Sequence, residues 1–325
     1  MLLSLVVPCY NEEENVRNFY NEVTRVFNER GGFSYEFVFV NDGSKDATYR
    51  ELKALNTEFS NVRVISFSRN FGKEAAIYAG LSKAAGDLVC LIDADLQQRP
   101  EVVLEMLDKM NESEDTDCVT AFQKKRKENK LLAFLKGAFY KIINKLSDVD
   151  FVSGASDFRL MKRSMVNAVL GMTEFHRFSK GIFSYVGFNT VYIPYVAEKR
   201  EAGTSKWNPI KLFKYALEGI FAFSTKPLKL STVVGFLSSF ASIVYLVVVI
   251  IQKLAFGIAV PGYATIVVLL LLIGGIQLFC LGILGEYVSK IYIEAKRRPV
   301  YIQKEVLESG ERKKNEPDGI DESSL

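Results

Sequence analysis

Histidine is nearly missing from this sequence, and cysteine is sparse. The lone histidine is His176, and Cys9, Cys90, Cys118 and Cys280 lie far apart, without the close spacing of zinc ligands. The cysteines stand in or beside apolar runs, which predicts buried, reduced thiols and a reducing compartment. With one histidine and no G-x-S-x-G motif, the sequence gives little support to nucleophilic serine or cysteine catalysis.

Several other signatures are missing as well. No G-x-G-x-x-G follows the first predicted strand and no G-x-x-x-x-G-K-[ST] occurs, which argues against a dinucleotide oxidoreductase and a P-loop NTPase. A net charge of +3, without a basic stripe interleaved with aromatics, argues against nucleic acid as a partner. Residues 1–8 are apolar but lack the basic leader of a signal peptide, so we expect a buried first strand.

Charged residues are missing from two stretches in the second half of the chain. Residues 230–252 and 263–285 contain no charge, and each is about 23 residues long. As helices, such segments would cross a hydrocarbon core of about 30 Å, whereas buried core helices are the alternative. Lysines and arginines flank the pair on its outer sides, and the link at 253–262 has a single lysine. The positive-inside rule therefore predicts a hairpin in the inner membrane with both termini in the cytoplasm.

The first part of the sequence alternates between two kinds of segment. Short runs rich in Val, Ile, Leu and Phe predict strands, and longer stretches between them predict helices. This alternation is typical of an α/β fold whose mostly parallel sheet is covered on both faces. The predicted strands are residues 2–8, 35–41, 62–67 and 87–93, and the predicted helices are residues 12–28, 46–58 and 73–85.

Three of the predicted strands end in polar clusters. The clusters are Pro8-Cys9-Tyr10-Asn11-Glu12, Asn41-Asp42-Gly43-Ser44 and Asp93-Ala94-Asp95-Leu96-Gln97. Ligands bind at the carboxyl ends of parallel strands, so we expect the three clusters to face one crevice. If Asp93 and Asp95 continue the strand, both carboxylates point the same way and repel each other unless a cation lies between them. Mg²⁺ or Mn²⁺ suits such ligands, while turns and helix capping are the alternative role.

Six motifs, in order, resemble one enzyme family. They read V-V-P-C-Y-N-E-E-E-N, F-V-N-D-G-S-K-D-A-T, S-R-N-F-G-K-E-A-A, D-A-D-L-Q-Q-R-P-E, G-A-S-D-F-R-L-M and R-E-A-G-T-S-K-W. They are similar to those of inverting, GT-A-fold polyprenyl-phosphate glycosyltransferases, the dolichyl-phosphate mannose synthase type and its bacterial undecaprenyl-phosphate relatives. The charge-free pair resembles the bacterial subgroup. The resemblance implies a cytoplasmic GT-A catalytic domain at 1–206, a juxtamembrane region at 207–229, a membrane hairpin at 230–289 and a cytoplasmic tail at 290–325.

The region at 207–229 has two interpretations. Its aromatics and lysines would suit an amphipathic helix at the membrane interface, or a helix packed on the soluble domain. The end of the tail is polar and rich in charge, which predicts disorder.

The resemblance also assigns roles to individual residues. The nucleotide and donor site would comprise Pro8, Tyr10, Asn11, Glu12, Asp42, Arg69, Lys73 and Gln97, with Asp42 at the base or ribose. Asp93 and Asp95 would bind the metal and diphosphate, and Asp157 takes the catalytic aspartate position. Arg200 and Lys206 flank a Gly-Thr-Ser loop suited to phosphate. The chain departs from the family at Gln98, where an acidic residue is common, so an acidic role there is in doubt.

The expected reaction is transfer of a hexose from a nucleotide-diphosphate sugar to a polyprenyl phosphate with inversion. UDP-glucose is the leading donor and undecaprenyl phosphate the leading acceptor. Mannose from GDP-mannose, and GlcNAc or an aminosugar from UDP, stay open. A processive polysaccharide synthase would carry Q-x-x-R-W, a nucleotidyltransferase would need a glycine-rich basic loop after its first strand, and a non-catalytic scaffold would not need the aspartates. The resemblance also suggests a homo-oligomer, with a tetramer among the options.

Overall fold

The computed structural model describes residues 1–123, 155–196, 221, 224–256, 262–308 and 310. These residues divide into two compact units. The first unit holds residues 1–123, 155–196 and those from 299 onward, and the second holds residues 221–298. Arg200 and Lys206, most of the region 207–229 and the end of the tail lie outside the described residues.

The first unit is built on one mixed sheet. Within the described residues the sheet has eight strands, in the order β7-β5-β6-β4-β1-β2-β3-β8. Strands β4, β1, β2 and β3 run parallel to one another, and β6 and β8 pair antiparallel with β4 and β3. The strands are β1 Leu2–Cys9, β2 Ser34–Asn41, β3 Val62–Phe67, β4 Leu88–Leu91, β5 Cys118–Gln123, β6 Ala155–Lys162, β7 Thr190–Tyr195 and β8 Gln303–Leu307. The predicted parallel α/β core is confirmed.

Helices cover both faces of the sheet. They are α1 Val16–Arg30, α2 Thr48–Glu58, α3 Lys73–Lys83, α4 Pro100–Asn111, α5 Arg163–Gly171 and α6 Ser179–Tyr185. Alternate residues of β1 explain the two faces. Leu5 belongs to a core cluster that contains Phe19 of α1, whereas Val6 points to the other face, toward Gly80 of α3. Both β1 residues are fully buried, as expected of a central parallel strand.

The switch point of the sheet lies between β1 and β4. The chain passes from β1 to β2 to β3 on one side, then crosses back through α3 to place β4 on the other side of β1. In open sheets of this kind the ligand crevice forms outside the carboxyl ends of the strands at the switch point. The polar residues after β1 and β4 occupy this position.

Several predicted boundaries differ from the structure at the site itself. α1 begins at Val16 rather than at residue 12, and β4 ends at Leu91 rather than at residue 93. At both places a backbone amide bonds to a side chain, and for Asp93 the acceptor is the Gln98 side chain at 3.0 Å. The Glu12 amide donates to the Thr48 hydroxyl at 2.8 Å.

The edge strand β8 was missed by the sequence analysis, which assigned 290–325 to a tail. Its sequence, Q-K-E-V-L, is short and polar, so periodicity gives no signal. The strand pairs antiparallel with β3, with Val64 opposite Leu307. Charged side chains on such a strand are a common protection of a sheet edge.

The second unit contains two long apolar helices, α7 Lys226–Phe256 and α8 Tyr263–Ala295. Both are longer than the predicted stretches, because the helices continue into the charged residues that flank them. Each helix contains an apolar stretch with a mean hydropathy of 2.5, and no part of either stretch is buried. By length and composition both helices are able to cross a membrane. The exposed fractions of Leu254, Leu271 and Leu278 are 82%, 72% and 72%. Exposed leucines of this kind are favourable in an apolar environment.

Candidate functional site

A cavity of about 300 Å³ lies at the switch point of the sheet. Its size falls at the lower end of the range of small-molecule sites. The lining residues come from the three polar strand ends and from the start of α3. They are Pro8, Cys9, Tyr10, Glu12, Asp42, Asn70, Gly72, Lys73, Ala76, Asp93, Ala94 and Asp95. The prediction that the three clusters face one crevice is therefore correct.

Seven of the predicted site residues line this cavity. They are Pro8, Tyr10, Glu12, Asp42, Lys73, Asp93 and Asp95. The other described site residues, Asn11, Arg69, Gln97 and Asp157, are not among its lining residues. Asn11 has a positive φ of 56°, and its side-chain oxygen accepts the Lys45 amide at 2.9 Å, which ties the turn after β1 to the loop after β2. The Arg69 guanidinium donates to the Asn70 carbonyl at 3.1 Å and lies 4.1 Å from the ring centre of Phe71.

Asp42 is buried at the end of β2 and fixes the loop after β3. Its carboxylate accepts the amides of Phe71 at 2.6 Å and of Gly72 at 2.9 Å. Burial raises the pKa of Asp42, and the two backbone amides oppose that rise by stabilising the charged form. The carboxylate therefore shapes the cavity wall in addition to lining it.

Gly43 allows this loop to approach. A Cβ on Gly43 would lie 2.3 Å from the carbonyl carbon of Arg69 and 2.5 Å from the backbone nitrogen of Asn70. Its φ of 61° also favours glycine. The turn after β2 and the loop after β3 thus meet backbone to backbone, which only glycine permits.

Lys73 joins two carboxylates at the edge of the cavity. As the first residue of α3 it places its Nζ 2.6 Å from Asp93 and 3.5 Å from Asp157 of β6. Burial would lower the pKa of Lys73, but the two carboxylates outweigh it and hold the pKa above its usual value. Lys73 is therefore charged at every physiological pH, and it brings Asp157 into the site.

Asp157 is ionised at neutral pH. Burial alone would raise its pKa, but the positive charges of Lys73, Lys180 and Arg159 outweigh burial and bring the pKa below its ordinary value. The Arg159 guanidinium is buried and lies 3.7 Å from the ring centre of Phe183, so it has a fixed position. A carboxylate in this setting is a permanent negative charge rather than a proton donor.

Asp93 and Asp95 do not continue β4. The strand ends at Leu91, and Leu96 has a positive φ of 54°, so the two carboxylates stand in a turn. Asp93 faces Lys73, whereas Asp95 accepts the Gln97 amide at 3.2 Å. The assumption that strand geometry extends through both residues is therefore wrong.

Gln98 is a functional candidate that the motifs did not reveal. Its side chain is buried; its oxygen accepts the Asp93 amide at 3.0 Å and its nitrogen donates to the Asp93 carboxylate at 3.2 Å. An aspartate at this position could not donate to another carboxylate. Where the family commonly has an acidic residue, this chain instead has an amide that fixes Asp93.

The chemistry of these side chains fits a hard divalent cation at Asp95. Asp93 and Asp95 both line the cavity, and the Asp93 carboxylate is also bound by Lys73 and Gln98. Among the described residues no three acidic, cysteine or histidine side chains converge on one point. Mg²⁺ and Mn²⁺ tolerate such a small protein ligand set, because they commonly keep water and substrate phosphates as their other ligands.

Glu74 and Ser179 were also missed by the sequence analysis. The Glu74 carboxylate accepts the Ser179 amide at 2.9 Å and the Ser179 hydroxyl, which joins α3 to the start of α6. Burial raises the pKa of Glu74, and the nearby Asp157 adds to the rise. Glu74 directly follows Lys73 in S-R-N-F-G-K-E-A-A, so the motif contained it, but only its contact across the fold indicates a role.

Comparisons with known proteins match both parts of the chain. A model described as glycosyl transferase family 2 matches residues 4–170, and one described as the GtrB C-terminal hairpin matches residues 226–291. The bactoprenol glucosyl transferase of Shigella phage SfV is 44% identical over 305 residues, which are 94% of this chain and 98% of that protein. The prophage bactoprenol glucosyl transferase homolog of Escherichia coli (strain K12) is 43% identical over 307 residues, 94% and 99% of the two chains.

Among solved structures, glucosyl-3-phosphoglycerate synthase from Mycobacterium tuberculosis, in complex with Mn²⁺, UDP and glucosyl-3-phosphoglycerate, is similar with a TM-score of 0.44. It is 20% identical, and the match covers 68% of this chain and 77% of that one. The family model spans half of the present chain, and the two curated relatives match it almost from end to end. The chain therefore belongs to glycosyltransferase family 2 and carries a hairpin of the GtrB type at residues 226–291.

Proposed function

We propose that this glycosyltransferase transfers glucose from UDP-glucose to undecaprenyl phosphate, with inversion at the anomeric carbon. The observation that carries the proposal is that one chain combines a charged cavity at the switch point of its sheet with two exposed apolar helices. The charged cavity would bind the nucleotide sugar, and the apolar helices would lie in the membrane that contains the lipid acceptor. The choice of sugar and lipid follows the names of the two relatives, a bactoprenol glucosyl transferase and a bactoprenol glucosyl transferase homolog.

The donor would lie along the polar strand ends. Asp42, Tyr10 and Pro8 form the part of the cavity suited to the base and ribose. The diphosphate would lie toward Asp95, where Mg²⁺ or Mn²⁺ would be bound. When bound, the ion would neutralise charge that develops on the departing UDP. Arg200 and Lys206, outside the described residues, are proposed as contacts for the acceptor phosphate.

The reaction would be a single displacement. An oxygen of the acceptor phosphate forms a bond to the anomeric carbon as the bond from that carbon to the UDP oxygen breaks, and UDP leaves with the bonding electrons. The second pKa of a phosphate monoester is about 6, so at neutral pH most of the acceptor needs no base to remove a proton. Asp157, which is ionised and paired with Lys73, is better suited to positioning the reacting groups than to taking a proton.

The proposed arrangement places the catalytic domain and both termini on the cytoplasmic side of the inner membrane. The domain limits at 1–206, 207–229, 230–289 and 290–325 remain part of this proposal, with the addition that Gln303–Leu307 belongs to the catalytic sheet. Packing of several hairpins into a homo-oligomer is proposed from the family resemblance.

The test is transfer by the purified protein in detergent. The protein is incubated with undecaprenyl phosphate, Mg²⁺ or Mn²⁺, and separate radiolabelled UDP-glucose, UDP-GlcNAc and GDP-mannose, and the lipid is extracted and counted. We expect label in the lipid with UDP-glucose, and a rate of labelling about a hundredfold lower with the Asp157→Asn variant. If only another donor labels the lipid, the sugar of that donor replaces glucose in the proposal. If the label appears in a water-soluble polymer instead of in lipid, the result contradicts the lipid acceptor.

A further inference from the structure

Strand β8 and Tyr301, just before it, follow the second apolar helix in the chain and lie against β3. The far end of the strand is fixed by α2. The Asn56 side-chain amide donates to the carbonyls of Leu307 at 3.4 Å and of Glu308 at 3.1 Å, and also to that of Val62 in β3 at 2.6 Å. One side chain thus contacts β3, the last residue of β8 and the residue after it.

Ionic and hydroxyl contacts add to this attachment. The Tyr49 hydroxyl donates to the Glu305 carboxylate, and Lys53 lies 3.8 Å from the same residue. Arg63, most of whose side chain is buried, lies 2.8 Å from Glu308. These contacts are specific to the side chains of the strand, so β8 is a built part of the catalytic unit and not a loosely placed tail.

The near end of β8 contacts the loop 68–72. The Ser68 amide donates to the Ile302 carbonyl at 3.0 Å. The ring of Tyr301 stacks on Phe67, with centres 4.8 Å apart, and Phe67 in turn meets the edge of Phe71 at 5.8 Å. Tyr301 also lies 6.4 Å from Tyr78 of α3. Tyr301 therefore touches the two elements on either side of the loop.

This loop carries two parts of the candidate site. Its amides at Phe71 and Gly72 bind Asp42, and it leads directly into Lys73, which pairs with Asp93 and Asp157. A loop of five residues has considerable conformational freedom unless its ends and side chains are held. Asp42 holds it from the sheet side, and Tyr301 and Ile302 hold it from the edge.

We propose that Tyr301 is a positioning residue for the donor site, which makes the segment after the apolar helices part of the nucleotide-binding apparatus. The identity of the donor in this inference rests on the proposed function, whereas the contacts of Tyr301 with the loop do not depend on it. Removal of the Tyr301 ring makes the loop more flexible. Part of the binding free energy of the donor is then used to order the loop. Donor binding then weakens while acceptor binding does not change.

The test compares three full-length variants, Tyr301→Ala, Tyr301→Phe and Lys304→Ala. The phenylalanine keeps the stacking ring, and exposed Lys304 lies in the same strand, so both serve as matched controls. Binding of UDP with Mg²⁺ is measured by titration calorimetry, and KM is measured separately for UDP-glucose and undecaprenyl phosphate. For Tyr301→Ala we expect the UDP Kd and the donor KM to rise about tenfold, with the acceptor KM within twofold of wild type and both controls unchanged.

Hydrogen exchange without any nucleotide gives an independent readout. In Tyr301→Ala the amides of residues 68–72 should exchange faster, while protection in β1 and β4 stays at the wild-type level. Unchanged exchange in this loop, or an equal rise in both KM values, overturns the positioning role. Failure of the wild-type protein to bind UDP contradicts the proposed donor instead, and leaves the exchange result to decide the role of Tyr301.

Discussion

At the scale of single residues, the charges around Lys73 determine how the site works. The chain places one cation between two carboxylates, and a third carboxylate, Asp95, faces the cavity separately. Asp93 and Asp157 share Lys73 as a partner, whereas Asp95 accepts the Gln97 amide, so substitution of these aspartates should have different effects.

We predict that Asp157→Asn lowers kcat by roughly a hundredfold, because loss of positioning by about 1 Å has an effect of that size. The pKa of Asp157 is lowered, so the group stays charged across the working range and its loss should be felt equally from pH 6 to pH 9. The pH–rate profile of the variant, measured against wild type, is the check. A defect that disappears at high pH would instead identify Asp157 as a general base.

We also predict that Asp95→Asn raises the concentration of Mn²⁺ or Mg²⁺ needed for half-maximal activity by at least tenfold. Asp93→Asn should raise it less, because the Asp93 carboxylate is bound by Lys73 and Gln98. Both substitutions conserve size, so folding should survive, as thermal unfolding can verify. Equal metal requirements for the two variants, or full activity of the wild type in chelator, would contradict this assignment.

At the scale of elements, the position of α3 depends on close packing against β1. A Cβ on Gly80 would lie 2.3 Å from Val6 Cγ1, in a fully buried contact. Because Lys73 stands at the start of this helix, any shift of α3 also moves the cation of the site.

We predict that Gly80→Ala destabilises the protein by about 1–3 kcal/mol, the usual effect of excess volume in a packed core. Gly171, at the end of α5, is the matched control, because a Cβ there would have no neighbour within 4 Å. The two variants are compared by the midpoint of thermal unfolding and by kcat. Equal midpoints would show that α3 adjusts without strain.

At the scale of the whole molecule, the prediction concerns membrane topology. The charge bias predicts that the link between α7 and α8 lies on the outer side of the membrane and the chain after α8 in the cytoplasm. A Gly262→Cys variant should react with a membrane-impermeant maleimide in intact cells, whereas Lys304→Cys should react only after permeabilisation. Both are made with Cys280→Ser to remove a background thiol. The opposite labelling pattern would reverse the proposed orientation.

The family, the parallel core, the two apolar helices and the three polar strand ends could all be predicted from the amino-acid sequence. Each of these is encoded locally, in a hydrophobic period, in a run without charge or in a motif after a strand. Local signals also explain why the sequence singled out Tyr10, Asp42 and Asp95, which line the cavity. Boundaries at the site were less accurate, because Glu12 and Asp93 use their backbone groups in turns.

The pairing of charged side chains at the site could not be predicted from the sequence, because it depends on the tertiary structure. Lys73 and Asp157 are more than 80 residues apart, and their contact depends on β6 lying beside β4, an order that no local pattern encodes. The two hydrogen bonds between Gln98 and Asp93 likewise depend on the backbone path of one turn. Strand β8 is too short and polar to carry a periodic signal, and it gains its structure from β3 and from the side chains of α2. Contacts of this kind are set by the packing of distant elements, and so they become visible only when the chain is folded.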